Sequence, residues 1–186
     1  MKALGAIALG LALAACRSDE PAPVPGVQEA IDQRAQLALM QRAQVALGPF
    51  KKELKATLEG ALAKGPEAAI AVCAEVAPEL AKRASTGGVT VGRTSDRLRN
   101  PRNTAPAWLA PMVKGLDEPK VVRLDGGRVG YAEPIVLQDM CTMCHGKDLA
   151  PAIAERLKAT YPDDAATGYA AGDVRGAFWA ELTVEP

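Results

Sequence analysis

Hydrophobic and polar positions along the chain fall into two textures, and the change comes at Gly87-Gly88. Before it the spacing is helical. From Gln28 to Leu47, Ile31, Ala35, Ala38, Leu39, Val45 and Ala46 recur between glutamines and arginines. Gly48-Pro49 interrupts this pattern, and Pro49 suits the first turn of a second helix running to about Lys64. That helix carries Phe50, Leu54, Leu58, Ala61 and Leu62 at spacings of three and four. Gly65-Pro66 punctuates again, and a third helix is predicted from Glu67 to about Ala84, with Pro78 expected to kink it or end it early.

After the glycine pair the spacing shortens. Val89 to Arg93 predicts a short strand. Lys120 to Leu124, an Asp125-Gly126-Gly127 turn and Arg128 to Tyr131 predict a β-hairpin. Ala150 to Ala159 predicts a helix with Pro151 in its first turn, and Gly176 to Val184 a closing strand. Helices first and strands afterwards argue for an α+β domain, an antiparallel sheet carrying helices on one side.

The amino terminus does not join this domain. Lys2 precedes an apolar run, Ala3 to Ala15, too short for a permanent membrane span. It ends in Leu13-Ala14-Ala15-Cys16, which resembles the bacterial lipobox, so residues 1–15 are expected to be a lipoprotein signal peptide and Cys16 the lipidated first mature residue. An ordinary secretory signal with a chance cysteine is the alternative. Multiple acyl chains would hold the protein on a membrane facing the periplasm. Arg17-Ser18 lacks the aspartate of inner-membrane retention, which points to the outer membrane. Residues 16–27, polar and proline-rich, read as the lipidated cysteine and a flexible tether.

Formal charge is zero and no long basic run occurs, so nucleic acid is not an expected partner. Alanine-rich helices with few aromatics suggest close packing of small side chains.

The most specific chemistry is Cys141-Thr142-Met143-Cys144-His145. This CxxCH pentad suits covalent haem c: the thiols of Cys141 and Cys144 add to the two vinyl groups, and His145 becomes the proximal iron ligand. Such attachment occurs outside the cytoplasm, in agreement with an export signal. A zinc site would need a second ligand pair, yet His145 is the only histidine in the chain. A thioredoxin-like CxxC would open a helix after a strand and need no histidine.

No histidine, methionine or cysteine follows His145, so a soft sixth ligand must come from upstream. Cys73, Met40 and Met112 are the candidates, with Met140 and Met143 too close to the pentad to reach the other face. This excludes the ordinary small cytochrome c layout. With Cys16 assigned to lipid and Cys141 and Cys144 to haem, Cys73 has no disulfide partner. Ala69, Ile70, Val76, Ala77 and Leu80 share its helix face. It is either an iron ligand or a small buried hydrophobe.

An ordered series of motifs then becomes apparent: Ala69 to Cys73, Val91 to Ser95, Arg99 to Asn103, Pro106-Ala107-Trp108, Tyr131 to Ile135, Cys141 to Gly146 and Gly172 to Phe178. Over Gln28 to Val184 the chain resembles a bacterial domain-of-unknown-function family whose members carry one c-type haem on a PAS-like fold. The resemblance implies a PAS-like sheet with an extended helical N-terminal part, residues 28–186 forming one haem domain. It also implies His/Cys axial ligation, which falls on His145 and Cys73. Leu109 stands where members often have an acidic residue, and Phe178-Trp179 replaces smaller ones; altered packing around the sheet is expected.

Arg93, Arg97, Arg99 and Arg102 crowd one irregular stretch. Arg93, Arg97 and Arg99 are candidate contacts for the haem propionates, with a solvated loop as the alternative. Trp108 and Tyr131 read as core.

A six-coordinate iron leaves no open site, so an enzyme is not expected, and a weak peroxidase would lack a free acid-base histidine. Two classes remain. One is redox or small-gas sensing, in which a cysteine ligand is lost on reduction and a separate protein carries the output. The other is a monohaem electron carrier that keeps both ligands in both oxidation states. The long N-terminal helices leave room for a homodimer.

Overall fold

The computed structural model describes residues 32–184. The expected signal peptide, Cys16, the expected tether and the first turn of the predicted N-terminal helix lie outside them. Among the described residues no helix is long and apolar enough to cross a membrane.

Where two helices were expected on either side of Gly48-Pro49, there is one, α1 (Gln33–Leu62), with Pro49 inside it. Asp32 caps its start, accepting from the Arg34 and Ala35 amides. The reason for continuity is packing. Ala43, Leu47, Phe50 and Leu54 form one buried stripe running straight through the break. Burying Leu47, Phe50 and Leu54 at about 2 kcal/mol each outweighs roughly 3 kcal/mol for an internal proline. The carbonyl that loses its donor belongs to Val45, whose side chain is 77% exposed, so the gap faces solvent.

The third predicted helix is continuous through Pro78 but not uniform. It consists of α2 (Pro66–Ala71), a π-helical turn (Val72–Val76) and α3 (Ala77–Ala84). Pro78 has no amide hydrogen for the Ala74 carbonyl, and the Ala77 amide, the ordinary partner of the Cys73 carbonyl, bonds Val72 instead, so both carbonyls need other donors. Arg93 Nη2 serves the first at 3.3 Å and Asn100 Nδ2 the second at 3.3 Å. The expected kink is thus absorbed by a wide turn with Cys73 inside it.

The strands follow the predicted order: β1 (Val89–Thr94), β2 (Lys120–Leu124), β3 (Arg128–Val136) and β4 (Val174–Thr183). They form one antiparallel sheet in the order β1-β4-β3-β2. Gly126 and Gly127 close the hairpin at φ 70° and 67°, a region that β-branched residues avoid. The α+β class therefore holds.

Both sheet faces are covered, not one. Val91, Tyr131, Ala180 and Leu182 pack under α1 and α3. On the other face Leu124, Ala132 and Ala177 meet Trp108, Leu109, Val113 and Leu116 from the irregular 104–116 stretch. Leu109 is fully buried there, which accounts for an apolar residue following Trp108. Two close approaches fix this layer: Trp108 lies against Gly130 and Trp179 against Gly92, where a Cβ would meet the indoles at 3.0 and 2.5 Å.

Candidate functional site

The pentad sits between β3 and the last helix, α5 (Pro151–Thr160). A 3-10 turn over Asp139–Cys141 leads into a single helical turn, α4 (Thr142–His145), which brings Cys141, Cys144 and His145 to one wall of a cavity of about 400 Å³. Leu54, Leu58 and Leu62, at successive turns of α1, make an apolar wall, continued by Ala69 and Ile70. Phe178 lies edge-on to Phe50 at a centroid distance of 6.0 Å, so its larger ring both fills the sheet face and lines the cavity. Cys73 enters from the π-turn.

The loop after α5 cradles the pentad. His145 O accepts from the Tyr169 amide and Gly146 O from the Gly168 amide, each at 2.9 Å. His145 Nδ1 lies 2.7 Å from the Ala166 carbonyl. Arg175 Nε is 3.4 Å from the same nitrogen. Because Nδ1 cannot both donate to one and accept from the other, the shorter contact decides: Nδ1–H donates to Ala166, leaving Nε2 with a free lone pair. Burial, aided by Arg175 and Arg99, pushes the imidazole down to about 3, so it is neutral and ready to bind a metal. Burial also pushes the Cys144 thiol up, against the pull of Arg99.

The predicted arginines separate. Arg99 is buried and clamps the site: it pairs with Asp164 at 2.9 Å and donates to the carbonyls of Cys144 and Ala166. Arg93 lines the cavity beside Cys73. Arg97 does not line it; it donates to the Ala165 and Thr167 carbonyls and stacks 4.6 Å over Tyr169. Arg102 is exposed. Arg175, unassigned from sequence, is a cavity residue, and burial, with Arg93 and Arg99 nearby, pulls it down to about 10. Among the described residues no carboxylate lies within ion-pair distance of Arg93 or Arg175.

The other soft donors disperse. Met40 packs under the sheet, Met112 lies on its opposite face, and Met143 is 45% exposed. Met140 borders the cavity next to the pentad. Among the described residues no three His, Cys, Asp or Glu side chains are gathered to hold a metal ion, so the thiols and imidazole are spread along walls and not around a point. Apolar walls, two adjacent thiols, a neutral imidazole, a thiol from another element and unpaired guanidinium groups together fit a flat macrocycle with anionic substituents.

A profile of the Tll0287-like family (Tll0287) matches residues 25–182. A search among curated proteins returned no match. Among solved structures, the crystal structure of the cyanobacterial heme-protein Tll0287 is similar at 26% identity and a TM-score of 0.47, covering 60% of this chain and 73% of that one. With most of its length matched by the profile, the chain belongs to the Tll0287-like family.

Proposed function

We propose that this protein binds one covalent haem c with His145 and Cys73 as axial ligands, and that it senses redox state or a small gas through exchange of the cysteine. The observation that carries the reading is that Cys73 and the distant CxxCH pentad line the same apolar cavity. Cys141 and Cys144 would hold the thioether links; Arg93, Arg99 and Arg175 would face the propionates. Haem c supplies a one-electron couple and, when an axial ligand leaves, one coordination position for a small molecule.

The chain's own residues favour exchange at Cys73. Its carbonyl is held by a side chain and not by the helical ladder, and a π-turn can relax to α geometry, rotating the side chain away from the cavity. His145, tied to Ala166, stays in place. A PAS-like description of the sheet belongs to this reading, as do a lipid anchor at Cys16, a periplasmic and outer-membrane location, a non-enzymatic role and a separate signalling partner. Nothing basic on a nucleic-acid scale is required.

Lys51, Lys52 and Lys55 border the cavity and favour a second reading, an electron carrier docking an acidic redox partner. Low-temperature EPR of the ferric, periplasmically matured protein tests the ligation. A low-spin thiolate signal lost in Cys73→Ala is expected; an identical signal in both would remove Cys73 from the iron. Carbon monoxide binding to the reduced protein separates the readings: binding marks a sensor, and its absence a carrier.

A further inference from the structure

Tyr161 caps the end of α5 and lines the cavity. It is 6% exposed, and its hydroxyl, shielded from solvent, has no hydrogen-bond partner. An unmatched buried hydroxyl costs about 1–3 kcal/mol, so its retention at the cavity edge of an otherwise apolar cluster of Ile70, Ile153 and Leu157 calls for a partner that arrives with the bound group. Phenylalanine would fill the same space without that cost.

The position narrows the partner. The ring packs in one cluster with Ile70 and Ala74, which flank Cys73 along its helix, and with Cys144. A tyrosine hydroxyl carries its proton at neutral pH and is a donor.

We propose that Tyr161 donates a hydrogen bond to the Cys73 sulfur when Cys73 is bound to iron, making it a positioning residue that weakens the sulfur's electron donation. This rests on the His145/Cys73 reading above. A hydrogen bond to a thiolate withdraws charge from it, raising the reduction potential and easing release of the sulfur as a thiol.

The test compares ferric parent, Tyr161→Phe and Tyr161→Leu holoproteins by EPR, by the iron–sulfur stretching frequency in H₂O and D₂O, and by potentiometry. The expected result is a thiolate-ligated parent whose stretch shifts in D₂O. In Tyr161→Phe the thiolate signal should persist, the isotope shift should vanish and the midpoint potential should fall, with the melting temperature kept. Tyr161→Leu should show the same spectroscopic losses even if it melts earlier, which separates hydrogen bonding from packing. A thiolate-ligated parent with unchanged isotope shift and potential in Tyr161→Phe would overturn the role of Tyr161 alone. A parent without a thiolate signal would overturn the ligation as well.

Discussion

Arg93 on β1 donates from Nη2 to the carbonyl of Cys73 at 3.3 Å, so one side chain links the sheet to the π-turn that carries the candidate ligand. The π-turn makes this contact necessary, since the Ala77 amide that would ordinarily serve the Cys73 carbonyl bonds Val72 instead. Replacing Arg93 with Ala should leave the fold intact, cost about 1–2 kcal/mol, and weaken thiolate ligation. Denaturant unfolding and the ferric EPR spectrum would check the two effects; a full-strength thiolate signal would show that the turn holds Cys73 unaided.

Arg99 and Arg97 are two positions apart and should behave differently. Arg99→Ala breaks a buried ion pair and frees the carbonyls of Cys144 and Ala166, so a loss of about 3 kcal/mol is expected. The midpoint potential should also move, since Arg99 lines the cavity. Arg97→Ala removes a stacked, exposed guanidinium outside the cavity, and should cost less than about 1 kcal/mol with no change in potential. Equal effects in the two variants would contradict this division.

Gly92→Val tests the second sheet face. A Cβ at this position meets Trp179 Cζ2 at 2.5 Å, so either the indole or the strand must move. Destabilisation of about 2 kcal/mol is expected, read as a lower denaturation midpoint. Gly48→Ala, with open space around it, should instead be neutral or stabilising.

Acid should unfold the haem-free chain through His145. Its folded value of about 3 lies below the ordinary 6.5, so between these the unfolded chain binds a proton that the folded chain does not. This contribution to stability is complete above 6.5 and is lost as the pH falls toward 3. Thermal melts of Cys141→Ser/Cys144→Ser protein, which cannot attach haem, should drop by several degrees between neutrality and about pH 4.5. Adding His145→Asn should flatten that slope.

Much of this architecture was legible in the chain. The β-branched runs and the Asp-Gly-Gly turn marked two strands and the hairpin because their signals are local. The CxxCH pentad was legible from residue types, whereas they left Cys73 open between ligand and buried hydrophobe; both line one cavity. The helix breaks were misplaced because Gly48-Pro49 and Pro78 act locally, whereas a buried stripe and two donors from elsewhere decide the outcome. Arg175 and Tyr161 went unassigned: nothing in their own neighbourhoods shows that β4 and the end of α5 meet the pentad. Arg97 and Arg99 look alike in sequence, and only the course of the 164–169 loop distinguishes them.

The strand order also governs how the molecule assembles. β4 is central in the sheet yet last in the chain, so β1 and the β2–β3 hairpin have no common partner until it is made. Such distant pairing is slow compared with helix and hairpin formation. During that interval the pentad, already synthesised, stands in an unfinished cavity lacking Arg175 and Phe178, its thiols open to chemistry that the finished wall would hinder. If the thiols take up haem as proposed above, that interval is when they stand open, before the docking of the middle strand sets Arg175 and Phe178 into the wall.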